Sequence, residues 1–139
     1  ERLINKTMEG RAGADQIKAL MAAFREQPPQ SIAGLAVTEV FDYKTHEVRQ
    51  VGSKGGARHL PEPSGDLLIF HLSEPGTRFA ARPSGTEPKI KFYLFARTDT
   101  KGLRDQSQLA EVKARTARQL DRMASDLEQY IRRVVESPA

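Results

Sequence analysis

The chain contains no cysteine, which excludes disulfides and thiolate chemistry and fits a cytoplasmic location. No apolar run approaches the ~20 residues needed to span a bilayer. The first nine residues lack the basic-then-apolar order of a signal peptide, so no membrane partner is expected. The three histidines, His46, His59 and His71, stand too far apart to suggest a metal motif. No paired arrangement of Asp and Glu recommends general acid–base catalysis. The charge excess is also small, 22 Lys and Arg against 18 Asp and Glu for a net +4. Acids are mixed through most of the basic stretches, whereas a nucleic-acid partner calls for basic charge gathered on one face. No nucleic-acid partner is therefore expected. At 139 residues the chain suits one domain, large enough to bury a core without metals or disulfides.

Apolar periodicity supplies the elements. Ile17, Leu20, Met21 and Phe24 recur at helical spacing and predict a helix over Asp15 to Glu26, with Gly10 and Gly13 before or at its start. Gln27-Pro28-Pro29 stops it. Ile32 to Tyr43 reads as a strand in which Leu35, Val37 and Phe41 share one parity and Glu39 breaks it. Asp42 to Arg49 reads as a polar hairpin or edge strand, with His46 solvated, and the glycine- and proline-bearing stretch from Gly52 to Gly65 as a basic loop. Leu67 to Leu72 and Thr77 to Ala81 read as antiparallel strands joined by the turn Ser73-Glu74-Pro75-Gly76, with His71 in a structural place at the end of the first. Ile90, Phe92, Leu94 and Ala96 then alternate with Lys91, Tyr93, Phe95 and Arg97 as a strand. A long helix from about Ser107 to Val135 presents Leu109, Val112, Leu120, Met123, Leu127, Tyr130, Ile131 and Val134 on one face. These elements predict an α+β fold: an antiparallel sheet of about four to five strands with two helices packed on one face.

The densest chemistry lies in Arg82-Pro83-Ser84-Gly85-Thr86-Glu87-Pro88-Lys89-Ile90-Lys91-Phe92. Two prolines stiffen the segment. Gly85 allows unusual backbone geometry and a close ligand approach. Ser84 and Thr86 carry hydroxyls, Arg82 a planar fork that matches two phosphate oxygens, and Lys89 and Lys91 add positive potential. Glu87 is expected to turn away, either pairing with Lys89 or accepting loop N–H bonds. The composition fits a dianion cradle and equally an ordinary turn between two strands. It is not a nucleotide P-loop, which needs Gly-Lys-Ser/Thr entering a helix.

The stretch RPSGTEPKIKFY closely resembles the phosphate-binding loop of the alpha-D-phosphohexomutases, the phosphoglucomutase and phosphomannomutase superfamily. EGRAGADQIKALMAAF resembles the helix that opens that family's C-terminal domain, and VTEVFDY its first strand. The resemblance extends over nearly the whole chain but only to that fourth domain, and implies its TATA-binding-protein-like (TBP-like) α+β fold. It implies that residues 1–139 are a piece of a four-domain enzyme interconverting hexose 1-phosphate and hexose 6-phosphate. A phosphoserine and hexose 1,6-bisphosphate would carry the phosphoryl group, with Mg2+ offsetting its charge. It implies that Arg82, Ser84, Gly85 and Thr86 contact the substrate phosphate, with Lys89 and Lys91 as further cations. It also implies hexose phosphate and the other three domains as partners. The family's Ser-His-Asn-Pro and Asp-Gly-Asp motifs are absent, so no catalytic residue and no metal ligand is expected in this chain. Two other readings stay open, a standalone anion-binding or regulatory module and a basic nucleic-acid-binding domain.

Overall fold

A computed structural model of the chain describes residues 2–7, 10–51, 57–61, 64–97 and 105–136. Among the described residues eight strands and two helices occur in the order β1 (Arg2–Thr7), α1 (Gly10–Glu26), β2 (Ser31–Ile32), β3 (Leu35–Asp42), β4 (Glu47–Gln50), β5 (Arg58–His59), β6 (Leu68–Leu72), β7 (Arg78–Pro83), β8 (Lys89–Phe95) and α2 (Gln106–Glu136). The sheet runs β1-β8-β7-β6-β3-β4-β5, with β2 paired to β3. Every pairing is antiparallel. The fold class is the expected α+β, but the sheet is wider than four to five strands because β1, β2 and β5 join it.

Both helices cover one face. Ile17, Leu20, Met21 and Phe24 of α1 are buried there, together with Leu120, Met123, Leu127, Tyr130 and Ile131 of α2. From the sheet come Phe70, Phe79, Phe92 and Leu94 among others. Phe24 is the hub. Its ring centroid lies 5.4 Å from Phe70, 5.9 Å from Phe92 and 4.7 Å from Tyr130. Burying such a side chain contributes about 2–3 kcal/mol. Tyr130 also donates its hydroxyl to the Gln27 carbonyl at 2.8 Å, occupying an acceptor at the end of α1, and burial lifts its pKa to about 12.

Four local readings change. Helix α1 begins at Gly10 rather than Asp15, and Gly13 is buried in line with Ile17. In β3 the register with β6 shifts between Val37 and Glu39. This bulge turns Val40 and Asp42 toward the core and Phe41, paired with Ile69, away from it. Leu35, Val37 and Phe41 therefore do not share a face, and Glu39 marks the switch. On α2, Leu109 is exposed and Val112 half-buried, so the packed stripe starts only at Leu120. Asp105, whose carboxylate accepts the Gln108 N–H at 2.7 Å, caps that helix ahead of Ser107. Finally, His46 is half-buried rather than solvated, with Nε2 at 2.7 Å from Ser64 Oγ.

The hairpin leading to the densest loop is closed by Thr77 N–H donating to the Glu74 carbonyl at 3.1 Å. Pro75 and Gly76 occupy its corner, and Gly76 has φ +81°, the geometry of a type II turn. A Cβ at Gly76 would stand 2.9 Å from Arg97 Cβ. Gly76→Ala is expected to cost about 2 kcal/mol, from left-handed backbone strain and this overlap together. Urea unfolding measures it, and an unchanged midpoint would contradict the turn as described.

Candidate functional site

Strands β7 and β8 position the loop. Their register pairs Arg82 with Lys91 and Pro83 with Ile90, and the Ser84 N–H donates to the Lys89 carbonyl at 2.9 Å. Residues 84–88 thus form the tip of a hairpin whose stems are fixed in the sheet. Ser84 organises this tip, since its Oγ accepts the Thr86 N–H at 3.3 Å and the Glu87 N–H at 3.2 Å. The hydroxyl proton stays available to donate. Glu87 pairs with Lys89 at 3.0 Å, the first of the two expected arrangements.

A cavity of about 260 Å³ opens beside this tip, lined by Arg82, Pro83, Ser84, Gly85, Lys91 and Tyr93. Inward positions on β8 are Ile90, Phe92 and Leu94, all buried. Lys91 and Tyr93 therefore point to the face opposite the helices, and Arg82 shares it as the register partner of Lys91. Arg82 and Lys91 make no ion pair among the described residues. Two unpaired like charges directly opposite on adjacent strands are unfavourable unless an anion sits between them.

The six expected contacts do not all meet. Arg82, Ser84, Gly85 and Lys91 share the small cavity. Thr86 is absent from it and lines a second space of about 660 Å³ between the tip and α1, where Ser84 and Gly85 join it with Ile17, Met21, Arg25 and Asp66. Lys89 lines neither and is held by Glu87. Gly85 does not have the left-handed backbone expected of it, for Gly34 and Gly76 are the positive-φ glycines among the described residues. It contributes space instead, because a Cβ there would meet nothing within 4 Å. Tyr93 is the addition. Its signal was present in the sequence, two residues after Lys91 in a strand that alternates faces.

Other candidates lie apart. His71 rests against Phe41, ring centroids 4.7 Å apart. Burial, reinforced by Arg78 and partly opposed by Glu39, holds its pKa below the ordinary value. Among the described residues no three of His, Asp and Glu gather where they could hold a metal ion, and no helix is long and apolar enough to cross a membrane.

No protein-family model matches the chain. Individual proteins do. Over 94 residues, 68% of this chain, it is 40% identical to the phosphoglucomutase of Staphylococcus aureus strain bovine RF122 / ET3-1. It is 39% identical to that of S. aureus strain MRSA252 and 41% to that of Staphylococcus saprophyticus over the same length. In each case the match spans only 16% of the relative's length.

Proposed function

We propose that the chain, which is similar over 94 residues to one segment of the phosphoglucomutases, is their substrate-phosphate-binding domain. It would be the fourth, C-terminal domain of an enzyme that interconverts hexose 1-phosphate and hexose 6-phosphate through a phosphoserine and a hexose 1,6-bisphosphate. The observation that carries this is the pair Arg82 and Lys91, opposed across β7 and β8 without an acidic partner among the described residues, at the wall of a cavity shared with Ser84 and Gly85. A phosphate dianion resolves the repulsion. Arg82 offers it a bidentate fork and Lys91 a point charge. Ser84 donates its hydroxyl proton while holding the tip, and Gly85 leaves the wall open. Thr86 and Lys89 flank the site.

Such a domain positions and does not react. Binding energy at the remote phosphate orients the far end of the sugar for phosphoryl transfer. Because the bisphosphate presents each end in turn, a grip centred on phosphate serves both. Among the described residues no three of His, Asp and Glu gather where they could hold Mg2+. The isolated domain is expected to be inactive.

Titrating this chain with glucose 6-phosphate, followed by backbone amide resonances, tests the reading. Shifts are expected at Ser84, Gly85 and Lys91, with a dissociation constant on the order of 1 mM because other clamp groups are missing. Gly85→Ala is expected to keep the wild-type unfolding midpoint, since its methyl meets no protein atom within 4 Å, and to bind several-fold more weakly because a side chain there hinders the close approach of a ligand to the loop backbone. Shifts confined to other surfaces, or an Ala variant that binds as wild type does, would overturn the site.

A further inference from the structure

The helix-free face of the sheet is built in rows across the strands. One row runs Leu3, Tyr93, Ala80, Ile69, Phe41 and Val48. Beside it lies the pair Lys91 and Arg82. On its other side run Phe95, Arg78, His71 and Glu39. The phosphate cavity therefore abuts an apolar row, and Tyr93 stands where the two meet.

The strand aromatics of this face differ in their partners. Phe41 packs on His71 and lies under the Arg58 guanidinium at 5.7 Å. Phe95 lies under Arg78 at 4.5 Å. Tyr93 has no ring partner and no cation over it among the described residues. Its cross-strand neighbours are Ala80, which offers only a methyl, and Leu3, which is 47% exposed. The ring is half-buried at the cavity wall.

We propose that Tyr93 is the platform on which the pyranose ring of the bound sugar phosphate rests, which rests in turn on the phosphate reading above. Lys91 and Tyr93 are two residues apart on one strand face, about 6.8 Å. The phosphorus of a sugar phosphate lies closer than this to the middle of its ring, and the flexible four-carbon stem of Lys91 lets its ammonium lean toward Tyr93 and take up the difference. With the phosphate between Arg82 and Lys91, the sugar lies along β8 over Tyr93. The C–H bonds on a pyranose face are weakly positive and complement the negative face of an aromatic ring. Such a platform reads a six-membered ring without reading its hydroxyl pattern, so it accepts a sugar presented from either end. The ligand class is phosphate esters of pyranoses, above acyclic phosphate esters and inorganic phosphate.

Three probes separate the contributions: inorganic phosphate, glycerol 3-phosphate and glucose 6-phosphate, each titrated into this chain and into its Tyr93 variants. The wild type is expected to prefer glucose 6-phosphate over glycerol 3-phosphate by about fivefold, the effect of one aromatic contact. Tyr93→Phe should keep that preference. Tyr93→Leu, which preserves apolar packing on the sheet, should abolish it while leaving the affinities for the two smaller probes unchanged. If phosphate shifts the loop amides but Tyr93→Leu retains the preference, or weakens all three probes alike, the role of Tyr93 falls alone. If inorganic phosphate shifts no loop amide in the wild type, the phosphate reading falls and the platform falls with it.

Discussion

Replacing Arg82 by Ala in the full-length protein carrying this domain is expected to lower kcat/KM for hexose phosphate by about 100-fold, or about 2.7 kcal/mol. The magnitude follows from the chemistry of the contact. A guanidinium can offer a phosphate two parallel N–H donors, and a hydrogen bond to a charged group is worth about 1.5–3 kcal/mol. Arg82→Lys keeps the charge but loses the fork, so a loss of roughly tenfold is expected. Stability should not follow activity. Arg82 is exposed, has no ion-pair partner among the described residues and opposes Lys91, so truncation removes a repulsion rather than a support. If the remote grip orients the reacting end, kcat should fall as well as KM rise. Steady-state kinetics together with a thermal melt check both halves. An unchanged kcat/KM would remove Arg82 from the site, and a melt that falls in step with activity would make its role structural.

Much of this arrangement was legible because it follows period-two alternation. Ile90, Phe92 and Leu94 go inward on β8, so Lys91 and Tyr93 must go outward. What the sequence hides is register. That Arg82 faces Lys91 depends on how β7 and β8 pair, and the side of the tip on which Thr86 falls depends on the hydrogen bonds of the Ser84 hydroxyl. Strand β1 escapes a hydrophobicity reading for a different reason. Its inward positions pair with Leu94, Phe92 and Ile90 but carry Arg2, Ile4 and Lys6. The two cations are satisfied by Asp121 and Glu128 of α2, far away in sequence. Charges at inward positions of an edge strand look like loop in a sequence and protect the edge in a fold. The bulge in β3 hides in the same way. A single residue inserted between Val37 and Glu39 exchanges the faces of everything after it, and alternation registers it only as an exception.

That exchange of faces has its largest consequence at Asp42, whose replacement by Ala is expected to destabilise the domain by about 3 kcal/mol, roughly 10 °C in Tm. Asp42 has no exposed surface. Its carboxylate accepts from Arg25 Nε at 3.1 Å and from the Lys44 and Thr45 N–H groups at 3.0 and 3.3 Å, with Arg49 at 3.6 Å. Arg25 is also held by Asp66 at 2.7 Å, tying α1 to the end of β3 and to the segment before β6. The Ala variant leaves a largely buried guanidinium one carboxylate short and two backbone donors without their acceptor. Asp42→Asn keeps an acceptor for the turn but loses the charge, and should fall between Ala and wild type. Desolvation pushes the Asp42 pKa up, but the hydrogen bond and charge of Arg25, with the two backbone donors, outweigh it and hold the pKa below the ordinary carboxylate value. A carboxyl whose folded pKa is depressed adds stability in full above its unfolded pKa and loses it as pH falls through the folded one. The gap in Tm between wild type and Asp42→Asn should therefore be widest near neutrality and close progressively below about pH 4. Melts of both proteins from pH 7 down to pH 3 would show it. A gap independent of pH would mean that Asp42 acts through its shape and hydrogen bonds and not through its charge.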